Sequence, residues 1–358
     1  MSFAFAEIKL KNLERNVSVI RSRVGDDVRI LAVVKANAYG HGSIEISKKL
    51  SSIEVNDLAV ATYEEALEIQ AAGVKANILI LGSITNDQII SSISSGVVFT
   101  IYDISQLHFI NSLNTKDTCF HLKVDTGMNR LGIDSSEIEE SIKIIKDNSN
   151  LCLKGVYTHL AESNLINSSF TKLQIIEFNK IILKYKDAIS NIDFFHIANT
   201  SGIFNFKDSY LNMIRPGLAL YGLSSNEDKV YPLMELKTSL IKIRNIKKGD
   251  SISYGRTFIA EENMKIGVIP IGYADGLPRS MSNKGRVLCN DMECGILGRV
   301  CMDLTIIDLS KNPNPKIGDE VIIFGNDKIS ANEVAMISET IPYDIVCGIS
   351  KRVKRIYK

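Results

Sequence analysis

No charge excess, no long apolar run and no metal-type spacing stands out in this sequence, and each absence removes a class of protein. Lys+Arg total 42 against Asp+Glu 41, a formal net charge of +1, so nothing at whole-chain level argues for nucleic acid or an acidic membrane surface. The opening M-S-F-A-F-A-E-I-K-L reaches Glu7 after five mostly apolar residues and carries no basic leader. No secretory signal or membrane span is therefore expected, and the expected location is the cytoplasm. The six cysteines, Cys119, Cys152, Cys289, Cys294, Cys301 and Cys347, show no C-x-x-C spacing, and the five histidines show no H-E-x-x-H pairing. A structural metal is not expected, and reduced, packed thiols are the default.

What is present is an ordinary globular composition, 45% hydrophobic and 23% charged, over 358 residues, a length that suggests two domains. Short apolar runs alternate with longer amphipathic stretches. The strand-like runs are Arg29 to Val34, Asp57 to Ala61, Asn77 to Leu81, Val97 to Tyr102, Phe120 to Val124, Leu153 to Thr158, Phe194 to Ala198 and Met213 to Leu220. Helix-like segments lie between them: Ser43 to Leu50, Tyr63 to Ala72, Asp87 to Ser94, Ile104 to Leu113, Ser135 to Asp147 and Phe170 to Ile189. Eight such units fit a closed TIM-type (β/α)8 barrel, with a doubly wound open sheet as the alternative. Closure is favoured because Lys35, Lys123, His159, Asn199, Thr200 and Arg215 fall near C-terminal strand ends, where barrels place their chemistry. After Gly222 the texture changes. Ser225 to Lys229 reads as a linker, and Ser239 to Ile243, Lys265 to Ile271, Val287 to Leu288, Leu304 to Ile307 and Glu320 to Phe324 read as strands before a helix at Ala331 to Ser338. The expected organisation is a first strand within residues 1–10 that pairs with the second domain, a barrel over 11–228, and a mainly β domain over 229–358.

The stretch from Val28 to Gly42, V-R-I-L-A-V-V-K-A-N-A-Y-G-H-G, concentrates the chemical signal. A buried strand delivers Lys35 to the rim, and partial burial lowers an ammonium's pKa, so that the amine attacks a carbonyl and forms a Schiff base. From this stretch alone, a solvated lysine capping a strand edge is an equal alternative.

The motif A-V-V-K-A-N-A-Y-G-H-G closely resembles the alanine racemase family of pyridoxal-phosphate enzymes. H-L-K-V-D-T-G-M-N-R-L-G (His121 to Gly132), Y-T-H-L-A (Tyr157 to Ala161), M-I-R-P-G-L-A-L-Y-G (Met213 to Gly222), S-Y-G-R-T-F (Ser253 to Phe258), I-G-Y-A-D-G (Ile271 to Gly276) and G-R-V-C-M-D (Gly298 to Asp303) continue the likeness in the same order. The resemblance implies a racemase that interconverts L- and D-alanine, with pyridoxal 5'-phosphate held on Lys35. It implies phosphate contacts from Tyr39, Thr200, the backbone of Gly217 and Leu218, and Tyr343, with Asn199 also binding the cofactor; Thr200 stands where the family usually has serine. It implies that Arg215 faces the pyridine nitrogen. Two bases are needed on opposite faces of the substrate carbon: Lys35 is one, and Tyr254, supported by His159, is the other. In the family that tyrosine comes from the second subunit of a head-to-tail homodimer. Arg130 and the backbone of Met302 would hold the substrate carboxylate, and Lys123 matches a lysine that is often carbamylated. Tyr273, Arg279, Arg299, Cys301 and Asp303 would line the entrance or support the second base. The expected product role is supply of D-alanine for peptidoglycan.

Two other functions fit the sequence less well. A decarboxylase on the same barrel would need a glycine-rich phosphate loop and a catalytic cysteine motif, neither evident here, although a racemase of broader substrate range stays open. A non-catalytic pyridoxal-phosphate carrier would lack the second domain that bears Tyr254.

Overall fold

The computed structural model describes residues 4–113, 115–187, 192–223 and 229–358. Eight parallel strands close into a barrel: β2 (Arg29–Val33), β3 (Asp57–Val60), β4 (Asn77–Ile80), β5 (Val98–Ile101), β6 (Thr118–Lys123), β7 (Leu151–Tyr157), β8 (Phe194–Asn199) and β9 (Met213–Arg215), which follow the first strand, β1 (Phe5–Ile8). The closing pair is β2 with β9, Arg29 opposite Met213 and Ile30 opposite Ile214. These strands are short, rich in Val, Ile and Leu, and buried on both faces, as a barrel between core and helices requires. The helix Asn86–Ser95 shows how local signals set boundaries. Thr85 and Gln88 form a reciprocal capping box at its start, and Gly96, in the left-handed region at φ 71°, ends it.

Three expectations need correction. The run Met213 to Leu220 is not one strand. Pro216 has no N–H to continue the ladder, so β9 stops at Arg215 and the chain turns into a 3-10 segment, Leu218–Tyr221. The run Ser239 to Ile243 is divided between two strands, Met234–Ser239 and Lys242–Ile246. At the break, Leu240 exchanges backbone bonds with Gly318 and Asp319, so the chain crosses from one sheet to another. The helix Leu10–Val24 lies outside the expected set, although its buried Leu13, Val17 and Ile20 recur at helical steps. The helix expected over Phe170 to Ile189 is Ser169–Tyr185, and Ile189 lies outside the described residues, as do the linker residues 225–228.

Beyond the barrel, a six-stranded sheet runs in the order Met292–Gly295, Arg286–Cys289, Glu320–Phe324, Met234–Ser239, β1, Lys354–Tyr357. A three-stranded sheet, Lys242–Ile246, Met264–Ile269 and Thr305–Asp308, stands beside it. β1 is antiparallel to Met234–Ser239 and parallel to Lys354–Tyr357, so the first described strand and the last lie side by side in this sheet. One hydrophobic core runs from the barrel into the sheet, from Leu31 and Phe99 to Ile323 and Val346. No helix among the described residues is long and apolar enough to cross a membrane.

Candidate active site

The site begins where β2 ends. Lys35 follows the buried pair Val33 and Val34, and the next four residues, Ala36 to Tyr39, all take left-handed conformations with φ between 51° and 54°. Each such non-glycine residue costs about 1 kcal/mol or more, so the turn must be held from outside. Glu65 does much of this, since its carboxylate accepts the N–H of Ala36 at 2.6 Å and that of Ala61 at 2.7 Å. Arg355, on the last strand, donates from Nε to the carbonyl of Gly40 at 3.0 Å. The second domain therefore clamps the loop that presents the lysine.

Lys35 opens into a cavity of about 370 Å³ at the C-terminal mouth of the barrel. Tyr39, Lys123, Arg130 and His159 share its wall, and so do Asn199, Thr200, Arg215, Gly217 and Tyr343. Two districts can be distinguished within it. One gathers hydrogen-bond donors. Thr200 Oγ1 accepts the N–H of Gly217 at 3.1 Å and that of Ala219 at 3.3 Å, and Asn199 caps the turn that Thr200 opens by accepting the N–H of Gly202 at 2.9 Å. A Cβ on residue 217 would stand 2.7 Å from the hydroxyl oxygen of Tyr39, so glycine is what lets that hydroxyl close over the backbone. Tyr343 packs on Tyr39 with centroids 5.5 Å apart. Leu218 follows as the first residue of the 3-10 segment and is not part of the wall. Hydroxyls and backbone N–H groups converging after the last two barrel strands form a cradle suited to a phosphate.

The other district is cationic. Arg215 is 3% exposed, and among the described residues it has no carboxylate partner. Its Nη2 donates to the carbonyls of Thr158 at 2.7 Å and Ile197 at 3.1 Å, and its Nη1 to that of His196 at 3.0 Å. Burial pushes its pKa down to about 10, which leaves it charged at neutral pH. Tyr157 lies under the guanidinium, 5.0 Å from its ring centroid, and 5.8 Å from the Lys123 amine. His159 Nδ1 is 3.3 Å from Arg215 Nη2. Because an arginine only donates, that nitrogen accepts and the histidine's proton sits on Nε2. Burial, then Arg215 and Arg130, hold His159 well below its usual pKa, so the ring is neutral. Burial also lowers Lys35, helped by the repulsion of Arg130 and Arg215 and opposed by Glu65. Lys123 is pushed down to about 8 by burial, with Arg130 and Arg215 adding to it. Burial of this kind favours the neutral, nucleophilic form of an amine.

The remaining sequence-derived residues gather elsewhere, in the second domain. Tyr254 is 68% exposed, Met302 53% and Tyr273 42%. Ser253 Oγ donates to the carbonyl of Arg299 at 2.6 Å and lies 3.4 Å from Cys301 Sγ, and the backbone N–H of Tyr273 bonds to the carbonyl of Cys301 at 3.0 Å. The Arg299 guanidinium lies over Gly255, beside Tyr254. Asp303 accepts from Arg352 at 2.6 Å, and Arg279 starts a short 3-10 turn, Arg279–Met281. None of these residues belongs to the wall of the Lys35 cavity in the same chain. Sequence reasoning missed Glu65 and Tyr157. Glu65 looks like any first-turn helical acid, and Tyr157 sits inside a quoted motif without a distinguishing pattern.

A closed barrel with a half-buried lysine, a buried arginine and converging hydroxyl and N–H groups at its C-terminal mouth has the layout of a barrel enzyme's active site. A family model described as "Alanine racemase, N-terminal domain" matches residues 8–225, and one described as "Alanine racemase, C-terminal domain" matches residues 233–357. "Alanine racemase 2" of Caldanaerobacter subterraneus subsp. tengcongensis is 39% identical over 98% of this chain and 94% of the relative. Among solved structures, the alanine racemase of Bacillus anthracis with bound L-Ala-P superposes with a TM-score of 0.92 at 33% identity, over 100% of this chain and 95% of that one. The alanine racemase of Bartonella henselae with covalently bound pyridoxal phosphate gives a TM-score of 0.92 at 29% identity, over 100% of both chains. The chain belongs to the alanine racemase family, whose members are amino-acid racemases.

Proposed function

We propose that this protein is a pyridoxal-phosphate-dependent alanine racemase, a cytoplasmic homodimer that interconverts L- and D-alanine with two bases and supplies D-alanine for peptidoglycan. The observation that carries this reading is the convergence, in one cavity, of Lys35, Arg215 and the cradle of Tyr39, Thr200 and Gly217. The fit to the cofactor is supported by that cradle, since glycine at 217 lets the Tyr39 hydroxyl close over the backbone beside Thr200 and so gathers hydroxyl and N–H groups at one point.

In this reading, Tyr39, Thr200, Tyr343 and the N–H groups of Gly217 and Leu218 hold the phosphate, with Asn199 fixing the turn that carries Thr200. When bound, the cofactor supplies the electron sink for the pair left when the substrate Cα loses its proton. Arg215, which keeps its proton, would face the ring nitrogen without protonating it, which would moderate that sink and limit side reactions. Lys35 Nζ, lowered in pKa by burial, takes or returns the proton on one face of Cα. Tyr254 of the partner subunit serves the opposite face, which accords with its 68% exposure on its own chain. His159, neutral and with its Nε2 proton free of Arg215, orients that hydroxyl. Arg130 and the Met302 backbone of the partner subunit bind the carboxylate. The Lys123 amine, with a pKa lowered to about 8, is often enough unprotonated for its lone pair to attack carbon dioxide, releasing a proton to solvent, and the resulting carbamate would orient Arg130. Tyr273, Arg279, Arg299, Cys301 and Asp303 shape the approach around Tyr254.

The test is a chirality assay of L-alanine, with L-serine alongside, together with the visible spectrum of the purified protein. D-alanine should form, and Lys35→Ala should lose both the bound-cofactor absorbance and turnover. Wild-type protein that leaves L-alanine unchanged, or a Lys35→Ala variant that keeps spectrum and activity, overturns the assignment.

A further inference from the structure

Below the site, inside the barrel, a line of buried polar groups leads from Arg215 away from the active-site mouth. Arg215 Nη1 donates to His196 Nδ1 at 2.7 Å, and His196 Nε2 lies 2.8 Å from His121 Nδ1. Chemistry fixes the direction of this line. A guanidinium has donors only, so His196 accepts on Nδ1 and carries its proton on Nε2. That proton points at His121 Nδ1, which must accept, and His121 then carries its own proton on Nε2. Reversing either imidazole would set two donors against each other at hydrogen-bond distance.

The local fold is shaped around this arrangement. His121 and Lys123, two residues apart in β6, share the face of the strand that looks into the barrel. The register between β6 and β7 shifts after Phe120, so Phe120 faces Leu153 but His121 faces Gly155. Such an irregularity re-aims side chains. A Cβ at residue 155 would stand 2.5 Å from His121 Nδ1, the accepting atom itself. Tyr157 stacks on His196 with centroids 4.6 Å apart and planes 9° from parallel, and Phe194 stacks on His121 at 6.3 Å. Burial, reinforced by Arg215, depresses both imidazoles, His121 to about 3, so neither ring competes with the guanidinium by charging. At its far end, His121 borders a second cavity of about 250 Å³ at the opposite mouth, lined also by Leu31, Asp57, Asn77 and Lys154.

We infer that His121 is a positioning residue for racemisation: by accepting the His196 proton it fixes the one tautomer that can receive Arg215, and so aims the guanidinium from the far side of the barrel. The inference rests on the proposed function for its catalytic consequence, but not for the tautomer itself.

Three variants test it. His121→Leu removes the acceptor, His121→Asn keeps an acceptor oxygen on a shorter arm, and Gly155→Ala displaces the ring without replacing it. Nitrogen-15 spectra of histidine-labelled apoprotein read the His196 tautomer without cofactor or turnover. Wild type should show His196 protonated on Nε2 alone. His121→Leu should show a mixture, a kcat for L-alanine lower on the order of tenfold with little change in KM, and an altered spectrum of the bound cofactor. His121→Asn should recover most of each, and Gly155→Ala should fall between. Should His121→Leu fail to fold, the Gly155→Ala and His121→Asn pair carries the test. An unchanged His196 tautomer in folded His121→Leu or Gly155→Ala overturns the inference, as does a wild-type kcat and spectrum in either. Correct tautomers in a wild type that does not racemise alanine would instead overturn the proposed function.

Discussion

The two groups of site residues are treated in opposite ways by their own chain. Around the barrel mouth, Lys35, Lys123, His159 and Arg215 are drawn out of water, pressed together and shifted in pKa by burial and mutual repulsion. In the second domain, Tyr254, Tyr273 and Met302 stand out toward solvent, more than two-fifths exposed. The first group is preorganised, at a cost in stability; the second lies outside the wall of the Lys35 cavity of its own chain. In the proposed reading, the exposed Tyr254 of one copy is the group that completes the preorganised cavity of another, a site divided between two copies of one chain.

The largest effects should separate the two regions by kind. Lys35→Ala should abolish turnover and cofactor absorbance yet leave the fold at least as stable, because it removes an amine whose ionisation burial opposes; parallel thermal melts and activity assays read both. Tyr254→Phe should lower kcat roughly 10²-fold or more while changing stability by less than about 0.5 kcal/mol, since an exposed hydroxyl contributes little to the folded chain. A Tyr254→Phe variant that melts well below wild type, with its activity loss in proportion, would erase the contrast.

Smaller effects sharpen it. Lys123 titrates near 8 in the folded protein against an ordinary value of 10.5. Between those values the unfolded chain binds more protons, so stability should rise with pH across that window, by on the order of 3 kcal/mol in all. Denaturant titrations in carbonate-free buffer should show this rise, and Lys123→Met should flatten it. Glu65→Gln keeps one acceptor oxygen but loses the charge-assisted pair to Ala36 and Ala61, so a stability loss of about 1 kcal/mol and weaker cofactor retention are expected. Calorimetry and dialysis against cofactor-free buffer measure these.

The barrel was legible because its signal is periodic. Buried strands read as Val, Ile and Leu runs, and a charged residue such as Lys35 or Arg215 at the end of one marks the rim. Boundaries were less legible where one residue overrides a run: Pro216 cuts an apolar stretch that hydropathy alone joins to β9, and Leu240 lies between two sheets inside a continuous run. Leu10–Val24 escaped notice because its apolar stripe is diluted by four basic residues. The members of the second cluster came from motif likeness alone, since exposed residues without partners carry no periodic or packing signal. The left-handed turn of Ala36 to Tyr39, the Glu65 clamp and the line through His196 and His121 were not legible at all. Each depends on contacts between segments far apart in the chain, and the residues involved look locally ordinary.

The most direct test of a divided site is complementation between two inactive variants. Lys35→Ala and Tyr254→Phe chains, co-expressed under separate affinity tags and purified through both, should form mixed dimers in which one of the two sites has its lysine and its tyrosine intact. Such mixed dimers should recover about half the activity of wild type, and an equimolar random population roughly a quarter. Mixed dimers no more active than either parent variant would contradict the account.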